Sequence, residues 1–293
     1  MKLSTLFLAS LSISSAWTAT LTRVPEFGDN PGNNEMWIYV PDTLSPNPAI
    51  IVALHGCLGS ARGYYNDVRD LAASADTHGF IVIYPGSTED FNCWDIATNA
   101  SLTHNGGSDS LSIVNMVQNT ISLYDADASQ VFATGSSSGA MMSLVLAAAY
   151  PDVFSAVAAY SGLPYGCLRG SPGSSPFTAD PACASGKVVR SGEEWAAEVA
   201  LAWPGYDGVY PKVQVWHGTE DAVVSPVNFD EAVKQWSGVF GVSLAEEQQD
   251  TPLDGYTRSV YGDGSQLEAY LAEGVGHVVP TQVDATLEWF GII

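Results

Sequence analysis

The sequence predicts a single-domain α/β chain in which helices cover both faces of a mostly parallel sheet. Short β-branched runs alternate with longer helical stretches rich in small and apolar residues, as expected when both faces of a parallel sheet are buried. Most of these runs stop at Gly, Pro or His, and ligand chemistry in such sheets collects beyond the strands' carboxyl ends. The 293 residues, 46% hydrophobic and 11% aromatic, supply a large enough core for one domain.

In chain order, the sequence opens Met1-Lys2-Leu3, turns apolar from Leu6 to Ile13, then small through Ser14-Ser15-Ala16-Trp17-Thr18-Ala19. These are the three parts of a secretory leader, and the apolar run is far short of the ~20 residues of a membrane span. A leader over 1–19, cut after Ala16 or Ala19, leaves a catalytic-sized domain over 20–293 and an extracellular, soluble protein. Strands are expected at Met36–Val40, Ile50–Leu54, Phe80–Tyr84, Val131–Thr134, Ala156–Tyr160, Val213–Trp216 and Glu268–Leu271. Their β-branched and aromatic residues suit a pleated, buried surface. Helices are expected at Tyr64–Thr77, Ser110–Tyr124, Ser138–Ala149, Pro226–Phe240 and Thr281–Phe290. The Pro/Gly/Ser-rich stretch from Gly162 to Gly192 reads as a long loop rather than a linker, because the same alternation resumes after it.

Charge excludes one class of function. Ten basic against 32 acidic residues give −22, and losing Lys2 with the leader makes it 9 − 32 = −23. A phosphate backbone would be repelled, and no basic cluster offsets this locally, so no nucleic-acid partner is expected. Four cysteines in a secreted chain, Cys57, Cys93, Cys167 and Cys183, imply two disulfides, for which three pairings exist. Sequence alone does not select one; the expected set closes the loop with Cys167–Cys183 and joins two strand-following segments with Cys57–Cys93. No CxxC or HxxxH spacing occurs, so neither a metal nor a cofactor is expected. Asn99-Ala100-Ser101 is an acceptor triplet for N-glycosylation.

The chemistry-bearing motif is Gly135-Ser136-Ser137-Ser138-Gly139, set between the run Val131–Thr134 and the helical run from Ala140. This is G-x-S-x-G in strand–turn–helix context, where a sharp turn exposes the central hydroxyl. The following helix points backbone N–H groups at developing negative charge. Ser137 holds the central register. A serine hydroxyl needs an imidazole to take its proton, and five histidines are available. His78 reads as a helix-end residue, His55 and His217 as strand-end residues, and His104 as a cleft-lining one. His277 alone lies late enough to follow both nucleophile and acid in the order Ser, acid, His. The acid is Glu220 or Asp221, just past Val213–Trp216; the apolar Ala222-Val223-Val224 favours Asp221 as the buried one. The oxyanion donors expected are the N–H groups of Ser138 and, after an early strand, of Cys57.

Leu54-His55-Gly56-Cys57, Cys93-Trp94-Asp95, Leu102 to Ser110, Gly135 to Met142 and Gly276-His277 together resemble the fungal acetylxylan esterases of carbohydrate esterase family 1. That group is related to feruloyl esterases and poly(3-hydroxybutyrate) depolymerases. The resemblance runs from Phe27 onward and implies an α/β-hydrolase fold, a Ser137-His277-Asp221 acyl-enzyme mechanism, and acetylated xylan or xylo-oligosaccharides as substrate. It also implies a tight acyl pocket opening on a broad cleft, with Trp94 and His104 as expected sugar contacts and a monomer as the expected form. Feruloyl esterase, polyester depolymerase and a non-catalytic wall-binding module are the alternatives.

Overall fold

The computed structural model describes residues 19–293; of the expected leader only Ala19 falls within them, and the rest lies outside the described residues. The chain begins with β1 (Thr22–Val24), β2 (Glu35–Tyr39) and β3 (Ile50–Leu54), then α1 (Ala61–Asp67), α2 (Arg69–His78) and β4 (Ile81–Gly86). A short α3 (Asn99–Leu102) and a long α4 (Ser108–Tyr124) lead to β5 (Val131–Ser136), α5 (Ser138–Ala149) and β6 (Ala156–Tyr160). After α6 (Pro181–Ala184) and α7 (Gly192–Ala200) come β7 (Lys212–Gly218) and α8 (Val227–Phe240). The chain closes with β8 (Leu244–Gln249), β9 (Tyr256–Tyr261), β10 (Leu267–Ala272) and α9 (Val283–Phe290).

These strands form one ten-stranded sheet in the order β1-β2-β4-β3-β5-β6-β7-β10-β9-β8. The pairings from β4 through to β10 are parallel; antiparallel strands finish both edges. Successive side chains of a strand point to opposite faces, and β3 shows the result. Ile50, Val52 and Leu54 join the core beneath α4, α5 and α8, whereas Ile51 and Ala53 join the one beneath α1, α2 and α9. Helix α5 is buried along its whole length, which explains its run of Ala, Leu, Val and Met with no charged face.

All the expected strands and helices have counterparts; Ile50–Leu54, Ala156–Tyr160 and Ser138–Ala149 keep their expected ends and the others shift. The run read as one helix from Tyr64 to Thr77 is two, because Val68 leaves helical geometry at φ −115°, ψ 47° and starts a new axis. Helix α7 was not anticipated, although Ser191 and Glu194 form a reciprocal capping box at its start. Strands β1, β8 and β9 were also not anticipated. In β8 the sequence Leu-Ala-Glu-Glu-Gln-Gln is exposed nearly throughout, so it carries no alternation to read. Both disulfides take the expected pairing: Cys57–Cys93 links the turns after β3 and β4, and Cys167–Cys183 staples the long loop.

Candidate active site

Ser137 sits between β5 and α5 at φ 56°, ψ −120°, a conformation a non-glycine residue adopts at a cost of about 1–3 kcal/mol. The flanking glycines make the turn sterically possible. A Cβ on Gly135 would lie 2.5 Å from the Gly139 backbone, and one on Gly139 would lie 2.1 Å from the Leu54 carbonyl oxygen. The elbow is thereby pressed against the end of β3. The Ser137 N–H donates to the Tyr160 carbonyl at 2.8 Å, leaving its hydroxyl for other partners.

That hydroxyl lies 2.9 Å from His277 Nε2, and His277 Nδ1 lies 2.7 Å from Asp221 Oδ2. The three residues come from turns after β5, β7 and β10, strands that lie side by side or one removed in the sheet. Gly218 permits the approach of the His277 loop, since a Cβ there would stand 2.1 Å from the Val275 carbonyl oxygen. The loop is then tied down by Val279 N–H to Ser161 Oγ at 3.0 Å and Gly274 N–H to Thr219 Oγ1 at 2.9 Å. Asp221 is buried and Glu220 exposed, as the apolar residues beside Asp221 suggest. Burial raises the Asp221 carboxyl, but hydrogen bonds from His217, His277 and the Val224 N–H outweigh it and hold the group well below the usual carboxylate range. It is an anion bonded to the imidazole edge opposite Ser137.

The neighbouring serines are engaged elsewhere. Ser136 Oγ pairs with the Tyr64 hydroxyl at 2.9 Å, and Ser138 Oγ accepts the Trp94 N–H at 2.8 Å. The backbone N–H groups of Ser138 and Cys57 make no backbone hydrogen bond among the described residues. Gly56 brings the second of these close: a Cβ there would be 3.3 Å from Ser137 Cβ. Around Cys57 the turn is held by its disulfide and by His55, whose Nδ1–H donates to the Gly56 carbonyl at 2.7 Å while Nε2 accepts the Ser87 N–H at 3.1 Å. Burial lowers the His55 pKa, against a smaller opposing effect of the Gly56 carbonyl, which suits this neutral tautomer.

Two expected sugar contacts lie elsewhere. Trp94 is fully buried, with Nε1 donating to the His55 carbonyl at 2.8 Å; its large apolar ring fills the core beneath the Cys57 turn instead of reaching the rim. His104 stands at the far end of α5, where Nδ1 donates to the Ala149 carbonyl at 2.7 Å and the ring stacks on Trp203 at 3.6 Å. At 1.5 Å per residue, the helix puts about 18 Å between that end and Ser137. Asn99 is exposed, with its Oδ1 accepting from Arg169 Nη1 at 2.9 Å.

His217 is a site residue that strand-end reasoning underread. Its buried Nε2 donates to the Val224 carbonyl at 3.0 Å and lies 3.4 Å from Asp221 Oδ2. The four-residue spacing from His217 to Asp221 across one tight turn was the available signal. Beside Ser137 lies a small apolar cavity of about 60 Å³, walled by Met141, Leu163, Leu168, Pro176 and Val224. Hydroxyl, imidazole, carboxylate, free N–H groups and an apolar pocket for a short substituent form a constellation capable of acyl transfer.

Known proteins are similar to this chain. The family model of esterase PHB depolymerases matches residues 36–249. Feruloyl esterase B of Talaromyces stipitatus is 54% identical over 280 residues, 96% of this chain and 78% of the relative. Acetylxylan esterase A of Emericella nidulans is 47% identical over 274 residues, 92% of this chain and 89% of the relative. The solved acetyl xylan esterase from Aspergillus awamori superposes with a TM-score of 0.89 at 44% identity, covering 94% of this chain and all of that one. The chain therefore belongs to the esterase PHB depolymerase family and is a carboxylic ester hydrolase acting among carbohydrate esterases.

Proposed function

We propose that this protein is a secreted serine esterase that removes acetyl groups from acetylated xylan. The reading is carried by the 60 Å³ apolar cavity beside Ser137. Its small size and its walls of Met141, Leu163, Leu168, Pro176 and Val224 suit a short apolar acyl group such as acetyl. In the proposed cycle Ser137 Oγ attacks the acetyl carbonyl carbon while His277 Nε2 takes the hydroxyl proton. Asp221 holds the tautomer and stabilises the imidazolium. The oxyanion is received by the N–H groups of Cys57 and Ser138. Collapse breaks the bond to the sugar oxygen, which leaves with the proton from His277. Water, deprotonated by the same imidazole, then attacks the acetyl-enzyme, and acetate departs as Ser137 regains its proton.

The leader over 1–19, the two disulfides and the Asn99 acceptor support an extracellular, glycosylated protein. No helix among the described residues is long and apolar enough to cross a membrane. A feruloyl esterase is the second reading, favoured by the 54% identity to a protein of that name; it requires a larger acyl site than this cavity. Side-by-side rates on acetylated xylan, methyl ferulate and poly(3-hydroxybutyrate) decide between them. Acetate release abolished in Ser137→Ala, with little turnover of the other two, is the expected result. Preferential turnover of methyl ferulate overturns the acetyl assignment, and acetate release surviving Ser137→Ala overturns the mechanism.

A further inference from the structure

Two aromatic rings stand in solvent on segments next to the acyl pocket, Phe177 directly following Pro176, which walls it. Phe91 is 53% and Phe177 68% exposed, and their centroids are 4.8 Å apart. They are separated by 86 residues in sequence, and the structure invests in keeping them together. Asp90, Phe91 and Asn92 are consecutive non-glycine residues with φ of 42°, 60° and 57°, each disfavoured for an L side chain. The turn is held from three sides. The Phe91 carbonyl accepts the Leu58 N–H at 2.8 Å, Asn92 Nδ2 donates to the Gly59 carbonyl at 2.9 Å, and Cys93 is bonded to Cys57. The Asp90 carboxylate then clamps the other strap by accepting the N–H groups of Ser174 and Ser175 at 2.7 and 2.8 Å and the Thr178 hydroxyl. Those hydrogen bonds outweigh its partial burial and hold Asp90 below the usual carboxylate range. The turn ties neighbouring segments together, but those bonds do not require apolar rings in water; the exposed pair marks a surface suited to being covered.

The surroundings define the occupant. Pro176 and Cys57 wall the acyl pocket. Asp90, next to Phe91, and Thr178, next to Phe177, wall a second cleft of about 330 Å³ together with Glu89 and Asp95, and Ser174 borders both. A carbohydrate ring offers weakly positive C–H faces, which suit the negative faces of aromatic rings, and hydroxyl donors, which suit carboxylate acceptors. A polyester offers no donors to such a cleft, and the acidic chain disfavours an anionic partner. The geometry points to Phe91 and Phe177 as the platform for a neutral xylosyl ring neighbouring the acetylated one, with that ring's hydroxyls turned toward the cleft at Glu89. This deepens the acetylxylan reading and rests on it.

The test compares kcat/KM on an acetylated methyl xyloside and on acetylated xylotetraose for the wild type and for Phe91→Ala, Phe177→Ala and the double variant. Isothermal titration of unsubstituted xylohexaose into Ser137→Ala, with and without Phe177→Ala, accompanies it. The preference for tetraose over monosaccharide is expected to fall about tenfold in the double variant, through KM rather than kcat. Phe177→Trp is expected to restore it, and xylohexaose affinity falls in parallel. Equal losses on both substrates mean that the pair supports the fold, and overturn the assignment. So do an unchanged preference, a loss confined to poly(3-hydroxybutyrate), or a fall in the sedimentation coefficient showing that the rings cover a second copy. If the wild type does not deacetylate xylotetraose yet Ser137→Ala binds xylohexaose through Phe177, the acetyl reading fails and the platform stands. Absent binding overturns the platform independently of the chemistry.

Discussion

At Ser137, Asp221 and His277, geometry and charge lead to separate expectations. Ser137→Ala removes the hydroxyl 2.9 Å from His277 Nε2 and is expected to lower kcat for acetate release by about 10³-fold or more. Ser136→Ala, which loses only a bond to Tyr64, is expected to retain activity; steady-state kinetics on one ester checks both. Asp221→Asn replaces an anion that accepts from His277 and from the Val223 and Val224 N–H groups. An amide there favours the wrong imidazole tautomer, so kcat is expected to fall about 10⁴-fold while far-UV dichroism is unchanged. The depressed Asp221 pKa adds a direction. The carboxylate contributes stability above its unfolded titration range and loses it only as pH falls through its lowered folded value, so acid inactivation above that range comes from another group. The G-x-S-x-G register around Ser137 is legible because it is a local spacing, whereas the order of Asp221 and His277, 84 and 140 residues further on, is read from the chain order the fold class implies. The burial of Trp94 and the remoteness of His104 were not, because a tryptophan or histidine in a loop reads the same whether its ring points in or out.

Strands, helices and turns act here by close approach. Gly139→Ala would set a methyl 2.1 Å from the Leu54 carbonyl oxygen, where neither β3 nor α5 has room to yield. A loss of about 3 kcal/mol or more is expected, read as a lowered urea midpoint. The Cys57–Cys93 bridge closes a separation of 36 residues and stiffens the turn bearing one proposed oxyanion donor. Its removal in a Cys57→Ala/Cys93→Ala protein is expected to cost about 4 kcal/mol of stability and to lower kcat by about 10²-fold. A stability loss with kcat intact would separate the bridge from the chemistry. The central strands were readable from sequence because burial on both faces leaves near-continuous apolar runs. The exposed β8 was not, since its pairing with β9 supplies the order that its own side chains lack.

The molecule taken whole is acidic, at −22, and it buries one carboxyl that titrates near neutrality. Burial pushes Asp109 up to about 6, against hydrogen bonds from the Asp95 N–H and Asn34 Nδ2. The folded protein thus binds this proton more tightly than the unfolded chain does. Stability falls as pH rises from about 4 to about 6, and the deficit, on the order of 3 kcal/mol, persists above that range. Mutual repulsion among the other carboxylates acts in the same direction. The Tm is expected to be higher at pH 5 than at pH 7.5, and Asp109→Asn is expected to flatten the profile between them; calorimetry at both values tests it.

Spacing and hydrophobic period were enough to reach the α/β architecture and the G-x-S-x-G elbow, because those signals are carried by residues close together in sequence. Side-chain direction and the meeting of distant loops were settled by folding. The strained turn 90–92, the Asp90 clamp on 174–178 and the exposed Phe91/Phe177 pair depend on which backbone groups meet across the molecule. So does the size of the cavity beside Ser137, a difference between packed volumes drawn from five separate segments.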